Sequence, residues 1–270
     1  MKIATWNVNS IRTRLEQVVQ WLQENPVDVL CLQETKVVDA QFPRQPFEQL
    51  GYHVYIYGQK SYNGVAILSR SPLTDVSMGF APVLGENNVG ELDEQKRVIT
   101  GVADGIRIVN LYVPNGAAVD SDKYHYKLNW LKVLRDYLQT LLETPNPKSK
   151  IQNPKSMCVC GDFNIAPEDR DIHNPEGRES KVMASEPERQ ALREILNLGL
   201  ADAFRKFTIE GGHFTWWDYR AAAFRRNWGW RIDHHYLTSD LYDRATSCTI
   251  DKAPRKLQQP SDHTPVIVLF

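Results

Sequence analysis

Met157-Cys158-Val159-Cys160-Gly161-Asp162-Phe163-Asn164 is a short apolar run that stops at a glycine and then presents an acid and an amide. The run is too short for a helix and rich in small and β-branched residues, so it reads as a buried strand, with Gly161 letting the backbone turn where the strand ends. Side chains alternate along extended backbone, so Asp162 and Asn164 are expected to point the same way. A carboxylate and an amide projecting together from a strand end suit the positioning of a water, a metal or a phosphate. The same residues also make an ordinary Asx turn. The surrounding chain has to separate the two.

The motif recurs. Lys2 to Trp6 reads as a strand ending in the amides of Asn7-Val8-Asn9, and Val27 to Leu32 as one ending in Gln33-Glu34-Thr35-Lys36. Ile106 to Tyr112 stops at Val113-Pro114-Asn115-Gly116, after a hairpin in which Asp104-Gly105 supplies a type I′ turn from Val98 to Ala103. Further strands are expected at His53 to Tyr57, Val65 to Ser69, His234 to Thr238 and Val266 to Phe270. Leu15, Val18, Val19 and Leu22 share one helix face before Asn25-Pro26, and Trp130, Leu134, Leu138 and Leu141 line a long helix from near Tyr124. Ser185-Glu186-Pro187-Glu188 is a capping box opening a helix with Ala191, Leu192, Ile195 and Leu196. Strands of such a layered α/β fold end together, so side chains far apart in sequence converge at one edge.

The chain of 270 residues carries a formal net charge of -1, which gives no global sign of nucleic-acid binding and leaves any phosphate-binding face to local clusters of Lys and Arg. There is no long apolar segment near Met1, hence no expected signal peptide or membrane span, and a cytoplasmic monomer is the expectation. Cys31, Cys158, Cys160 and Cys248 suggest neither a disulfide framework nor structural-zinc spacing; Cys158 and Cys160 read as inert strand thiols. Residues 144–156, rich in Pro and Lys, read as a solvated insertion within a single domain spanning 1–270.

The recurring polar strand ends collect Asn7, Asn9, Glu34, Tyr112, Asn115, Asp162, Asn164, Asp233, Asp262 and His263. Carboxylates and amides with one His suit a hard cation such as Mg²⁺ rather than zinc, and make phosphate chemistry the natural expectation. Adjacent residues in extended chain face opposite ways, so Asp233 rather than Asp262 is the expected partner of His263, and Asp262 is free to approach the metal. Phe214 to Arg231 interleaves Trp216, Trp217, Trp228 and Trp230 with Tyr219, Phe224 and the arginines 220, 225, 226 and 231. That mixture suits stacking on bases while gripping phosphates, with about half of the rings expected in the core.

Taken in order, Trp6-Asn7-Val8-Asn9-Ser10-Ile11-Arg12, Leu32-Gln33-Glu34-Thr35-Lys36, Tyr112-Val113-Pro114-Asn115-Gly116, Gly161-Asp162-Phe163-Asn164, Arg231-Ile232-Asp233 and Ser261-Asp262-His263 together resemble the exonuclease III family of abasic-site endonucleases. The resemblance runs from residue 6 to residue 263. It implies an α/β four-layer sandwich, two packed mixed β-sheets flanked by helices, of the wider endonuclease/exonuclease/phosphatase superfamily. By the same resemblance Glu34 ligates Mg²⁺, with Mn²⁺ as a substitute and Asn7, Asn9 and Asp262 close to the metal. Asp162, supported by Asn164, activates or orients the attacking water, and His263, paired with Asp233, binds the scissile phosphate beside Tyr112. Asn115, Trp216 and Arg220 contact substrate, Trp216 lining an abasic pocket. Asn9 stands where some relatives have Asp. The implied activity is Mg²⁺-dependent incision of duplex DNA 5′ to an abasic site, with action on 3′ ends as exonuclease or 3′-phosphatase. A general DNase or phosphatase of the superfamily and an inactive DNA-binding scaffold are the alternatives.

Overall fold

In the computed structural model, which describes residues 1–143 and 156–270, twelve strands form two sheets of six. The strands are β1 (Lys2–Asn7), β2 (Val29–Gln33), β3 (His53–Tyr57), β4 (Val65–Ser69), β5 (Thr74–Met78), β6 (Val98–Ala103), β7 (Ile106–Tyr112), β8 (Met157–Asp162), β9 (Leu200–Asp202), β10 (Asp233–Thr238), β11 (Ser247–Ile250) and β12 (Val266–Leu269). One sheet runs β11-β12-β1-β2-β4-β3 and the other β5-β6-β7-β8-β10-β9. In each, one pair is parallel (β1 with β2, β7 with β8) and the rest are antiparallel, so both sheets are mixed.

Alternation sorts the strand residues into layers. Ile3, Val29, Cys31, Val65 and Ile67 of one sheet meet Ile99, Ile108, Cys158 and Cys160 of the other in a buried core between the sheets. The opposite face of the first sheet, with Ala4, Trp6, Leu30 and Leu32, packs on Val18, Trp21 and Leu22 of the helix Ile11–Glu24. The outer face of the second, with Val109, Leu111 and Val159, packs on Trp130, Leu134 and Leu138 of the helix Asp122–Glu143 and on Leu192 and Ile195 of the helix Glu186–Leu196. Each Val, Leu or Ile among them contributes about 1.5–3 kcal/mol on burial. This is the expected four-layer sandwich. The insertion expected at 144–156 lies outside the described residues, apart from Ser156.

The β6–β7 hairpin matches the expected bounds, and Asp104 (φ 47°) and Gly105 (φ 81°) both take the left-handed backbone of a type I′ turn. Gly161 does a different job from the one its sequence suggests. It lies within β8 rather than beyond it, at φ 143°, and a Cβ there would sit 1.9 Å from the carbonyl oxygen of Leu111 on β7. Close strand approach, not a turn, demands the glycine. Gly161→Ala is therefore expected to destabilise the protein by ~2–3 kcal/mol through overpacking; an unchanged denaturant midpoint would contradict this.

The cysteines are all buried. Cys158 and Cys160 gather with His235 between the sheets, and mutual hydrogen bonding and burial push the thiol of Cys158 well above its ordinary pKa. They stay protonated, in keeping with inert strand thiols. Among the described residues no helix is long and apolar enough to cross a membrane.

Candidate active site

Register brings the polar strand ends to one edge. Parallel pairing sets Asn7 beside Gln33 at the ends of β1 and β2, and Tyr112 beside Asp162 at the ends of β7 and β8. Antiparallel pairing sets the first residue of β10, Asp233, opposite Asp162. His263 lies just before β12, which runs antiparallel to β1. Residues separated by more than half the chain thus meet without any long loop having to reach.

Asp162 is the hub. Its Oδ2 accepts from Asn7 Nδ2 (2.9 Å) and Asn164 Nδ2 (3.3 Å), and its Oδ1 accepts from the Asn164 backbone N–H at 2.9 Å. Asn164 has left the strand, at φ 49°, so the two residues converge through an Asx turn and not through simple alternation. Capped turn and polar site are one object. Burial drives the Asp162 carboxyl up to about 7, with the charge of Asp233 adding to the effect and that of His263 opposing it.

His263 Nδ1 lies 2.9 Å from Asp233 Oδ2, and its Nε2 lies 3.7 Å from Asp162 Oδ2. Asp233, not Asp262, is the partner of His263, as alternation along extended chain requires. Burial lowers the imidazole pKa, but Asp233 and Asp162 more than offset this and raise it to about 10, so the ring keeps both protons at neutral pH. Asp262 faces the other way: its Oδ1 accepts from Asn9 Nδ2 and its Oδ2 from Trp216 Nε1, each at 2.9 Å. Burial raises its pKa, while His263 and these donors bring it below the usual carboxylate range.

Glu34 completes the cluster. One oxygen of Glu34, one of Asp162 and a ring nitrogen of His263 lie within 4.8 Å of one another. Glu34 Oε1 accepts from Asn7 Nδ2 (2.8 Å), and Oε2 pairs with Lys36 Nζ (2.8 Å). Against the effect of burial, Lys36 and Asn7 hold the Glu34 carboxyl below its ordinary value. Asn7 presents its amide nitrogen to both acids because its oxygen accepts the Asn9 backbone N–H at 3.0 Å. Tyr112 faces Glu34; burial and that charge push its hydroxyl well above 10, so it remains a donor. Asn115 Nδ2 donates to Asn164 Oδ1 at 3.1 Å.

An apolar wall stands beside these acids, where Trp216, Trp230, Ile172, Met183 and Ile232 pack together and Trp216 bridges through its backbone to both Trp230 and His263. On the other side a groove of about 680 Å³ is lined by Tyr112, Asn115, Arg97, Tyr62 and Lys123. The aromatic stretch divides as expected: Trp217 and Trp230 are buried, while Trp228 and Tyr219 are exposed. Arg220 is not brought in; it is exposed and pairs with Asp218. Three contributors escaped the sequence reading. Lys36 reaches both Glu34 and Asn9, Tyr219 extends its hydroxyl toward Asn9 and Asp262, and Trp230 joins the wall. Lys36 had a usable signal two residues beyond Glu34 at the same strand end, and Tyr219 and Trp230 lay in the aromatic stretch between Phe214 and Arg231.

Comparison with known proteins agrees with this arrangement. Residues 4–263 match the model of the Endonuclease/Exonuclease/phosphatase family. The chain is 32% identical to exodeoxyribonuclease III of Haemophilus influenzae over 282 residues, covering all of both chains. Among solved structures it superposes on the 3′-5′ exonuclease NExo of Neisseria meningitidis with a TM-score of 0.91 at 40% identity, covering 100% of this chain and 99% of that one. An AP endonuclease of Archaeoglobus fulgidus gives a TM-score of 0.89 at 41% identity with the same coverage. Full-length similarity, the paired six-stranded sheets and the convergence of Glu34, Asp162 and His263 from the strand ends of both sheets lead to one assignment: the chain belongs to the endonuclease/exonuclease/phosphatase family, in its exonuclease III branch.

Proposed function

We propose that this chain is a Mg²⁺-dependent phosphodiesterase of DNA repair that cuts duplex DNA 5′ to an abasic site, leaving a 3′-hydroxyl, and that also acts on 3′ ends. The observation that carries the reading is the placement of His263, held at Nδ1 by Asp233, with its Nε2 3.7 Å from the buried carboxyl of Asp162 beside Glu34.

The donor set fits a hard divalent cation. Two carboxylates and one imidazole nitrogen make it up, and the thiols lie apart in the core between the sheets. Glu34 would hold the ion, with Asp262, Asn9 and Asn7 close to it. When bound, the cation offsets phosphate charge and polarises a phosphoryl oxygen. His263 donates Nε2–H to a non-bridging phosphate oxygen, and Tyr112 supplies a second donor. Asp162, fixed by Asn7 and Asn164, orients a water and takes its proton as the water oxygen attacks phosphorus and the bond to the 3′ oxygen breaks, the departing 3′ oxygen taking a proton from solvent to become the hydroxyl. A carboxyl raised toward neutrality is a stronger base than an ordinary aspartate, which favours that role.

Substrate choice follows from the wall of Trp216, Trp230, Ile172 and Met183. An abasic nucleotide leaves the helix at lower cost than an intact one, and an apolar pocket accepts its sugar while excluding a base. Lys36, which reaches Glu34 and Asn9 at the rim, adds sequence-independent affinity that falls with salt. The names of the relatives span AP endonuclease and 3′-5′ exonuclease, so the test needs several substrates. Labelled duplexes carrying one abasic analogue, a 3′-phosphate or no lesion are incubated with Mg²⁺ or EDTA. Incision at the analogue that EDTA abolishes is the expected outcome. Indiscriminate nicking would indicate a general DNase, and binding without cutting a scaffold.

A further inference from the structure

Lys127 and Glu188 form an ion pair with no solvent exposure on either side chain, behind the acids and outside the set of groups that face substrate. The ammonium has three N–H donors and uses all three. One goes to Glu188 Oε1 at 2.5 Å, one to the carbonyl of Asn164 at 2.7 Å and one to the carbonyl of Asn115 at 3.2 Å. Glu188 is equally committed: Oε1 also accepts from the Met183 backbone N–H (3.0 Å), and Oε2 accepts from the Ser185 backbone N–H (3.1 Å) and hydroxyl (2.6 Å). Tyr124, on the same helix as Lys127, meets the Ser185 hydroxyl at 2.7 Å. Two helices, the loops after β7 and β8, and the Met183 segment of the apolar wall are tied at one point.

We propose that the Lys127–Glu188 pair is a positioning device for the reaction, setting the separation of Asn115 and Asn164 and, through Asn164, the orientation of the Asp162 carboxylate. It rests on the nuclease reading above. A buried ion pair is a weak source of stability, because apolar side chains of similar volume often serve as well. Apolar side chains cannot supply donors aimed at carbonyls on two different loops. Those loops need such a tether: Asn164 sits at φ 49°, an uncommon conformation for a residue other than glycine, and its side chain must reach Asp162 and the Val113 carbonyl together. Asn115 meets Asn164 only if both backbones hold their spacing. Lys127 touches neither reacting atoms nor substrate, so it and Glu188 are positioning residues.

The test is the double variant Lys127→Met/Glu188→Gln, which removes both charges and keeps an amide acceptor for the Ser185 cap. Expected is a folded protein whose Kd for abasic duplex DNA matches the parent while kcat falls about 10–100-fold, the size of effect a small misplacement produces. A purely structural role would lower the melting temperature and leave the kcat of the folded fraction intact, and that result would overturn the proposal. Glu188→Asp, which keeps both charges paired but draws the carboxylate back by one methylene, gives the same readout should the double variant not fold. Side-chain amide resonances of ¹⁵N-labelled Asn115 and Asn164 are recorded without DNA. They are expected to shift in either variant, and unchanged resonances in a folded variant would refute the positioning role even if the parent cut no DNA, an outcome that would separately refute the nuclease reading.

Discussion

Asp162→Asn leaves a folded protein that binds abasic duplex DNA as tightly as the parent but cleaves it roughly 10²–10⁴-fold more slowly, the range associated with loss of a positioned acid or base. The substitution is nearly isosteric. The side-chain oxygen that accepts the Asn164 backbone N–H at 2.9 Å is retained, so the turn survives. What disappears is the acceptor facing Asn7 and Asn164 and the charge 3.7 Å from His263 Nε2. An amide nitrogen there neither takes the water's proton nor supports the imidazolium. Phosphate-binding groups at the rim are untouched, which is why binding persists. Single-turnover cleavage with fluorescence anisotropy for binding separates the two quantities, and near-parent turnover would remove Asp162 from the reaction.

Arg231→Met is expected to cost about 3–5 kcal/mol of stability, the penalty for leaving buried charge unpaired. Arg231 is buried, with Nε 2.6 Å from Asp171 Oδ1, Nη2 2.7 Å from Asp202 Oδ2 and Nη1 3.0 Å from His234 Nδ1. Methionine fills much of the volume and satisfies none of these partners. Against burial, Arg231, joined at Asp171 by Arg205, holds both carboxyls below the ordinary aspartate value. The sign of the pH dependence follows. Carboxyls with depressed folded-state pKa values contribute stability above their unfolded value near ~4 and lose it as pH falls through the folded value. The deficit of the variant is therefore full at neutral pH and shrinks in acid. Denaturant titrations at neutral and acidic pH measure it, and a deficit independent of pH would contradict the ion-pair account. Arg231 also precedes Asp233 by two residues, so some loss of turnover should accompany the loss of stability.

Much of the site could be read from the sequence because its logic is local. Each polar residue closes an apolar run, and strands that pair side by side must end side by side, as Asn7 with Gln33 and Tyr112 with Asp162 do. Parity along extended chain separated Asp233 from Asp262 as the partner of His263. The strands left unassigned, β5, β9 and β11, are short edge strands with partly exposed residues, and offer no apolar run to detect. Other misses depend on contacts between distant segments. That Gly161 serves the Leu111 carbonyl, that Asn7 donates to both acids, and that Lys127 reaches two loops are facts of packing between elements far apart in sequence. Arg220, expected at the substrate, pairs on the surface with the neighbouring Asp218, a local contact that its place in the aromatic stretch does not reveal.

The account stands most directly on the chemistry of the cut. End-group analysis of a duplex with a natural abasic site should give, in Mg²⁺, a 3′-hydroxyl that a polymerase extends without further processing and a 5′ fragment end bearing the abasic sugar phosphate, with no product in EDTA. A 3′-unsaturated aldehyde, or cleavage that survives EDTA, would mean strand scission by elimination and would contradict hydrolysis at the Asp162 and His263 site.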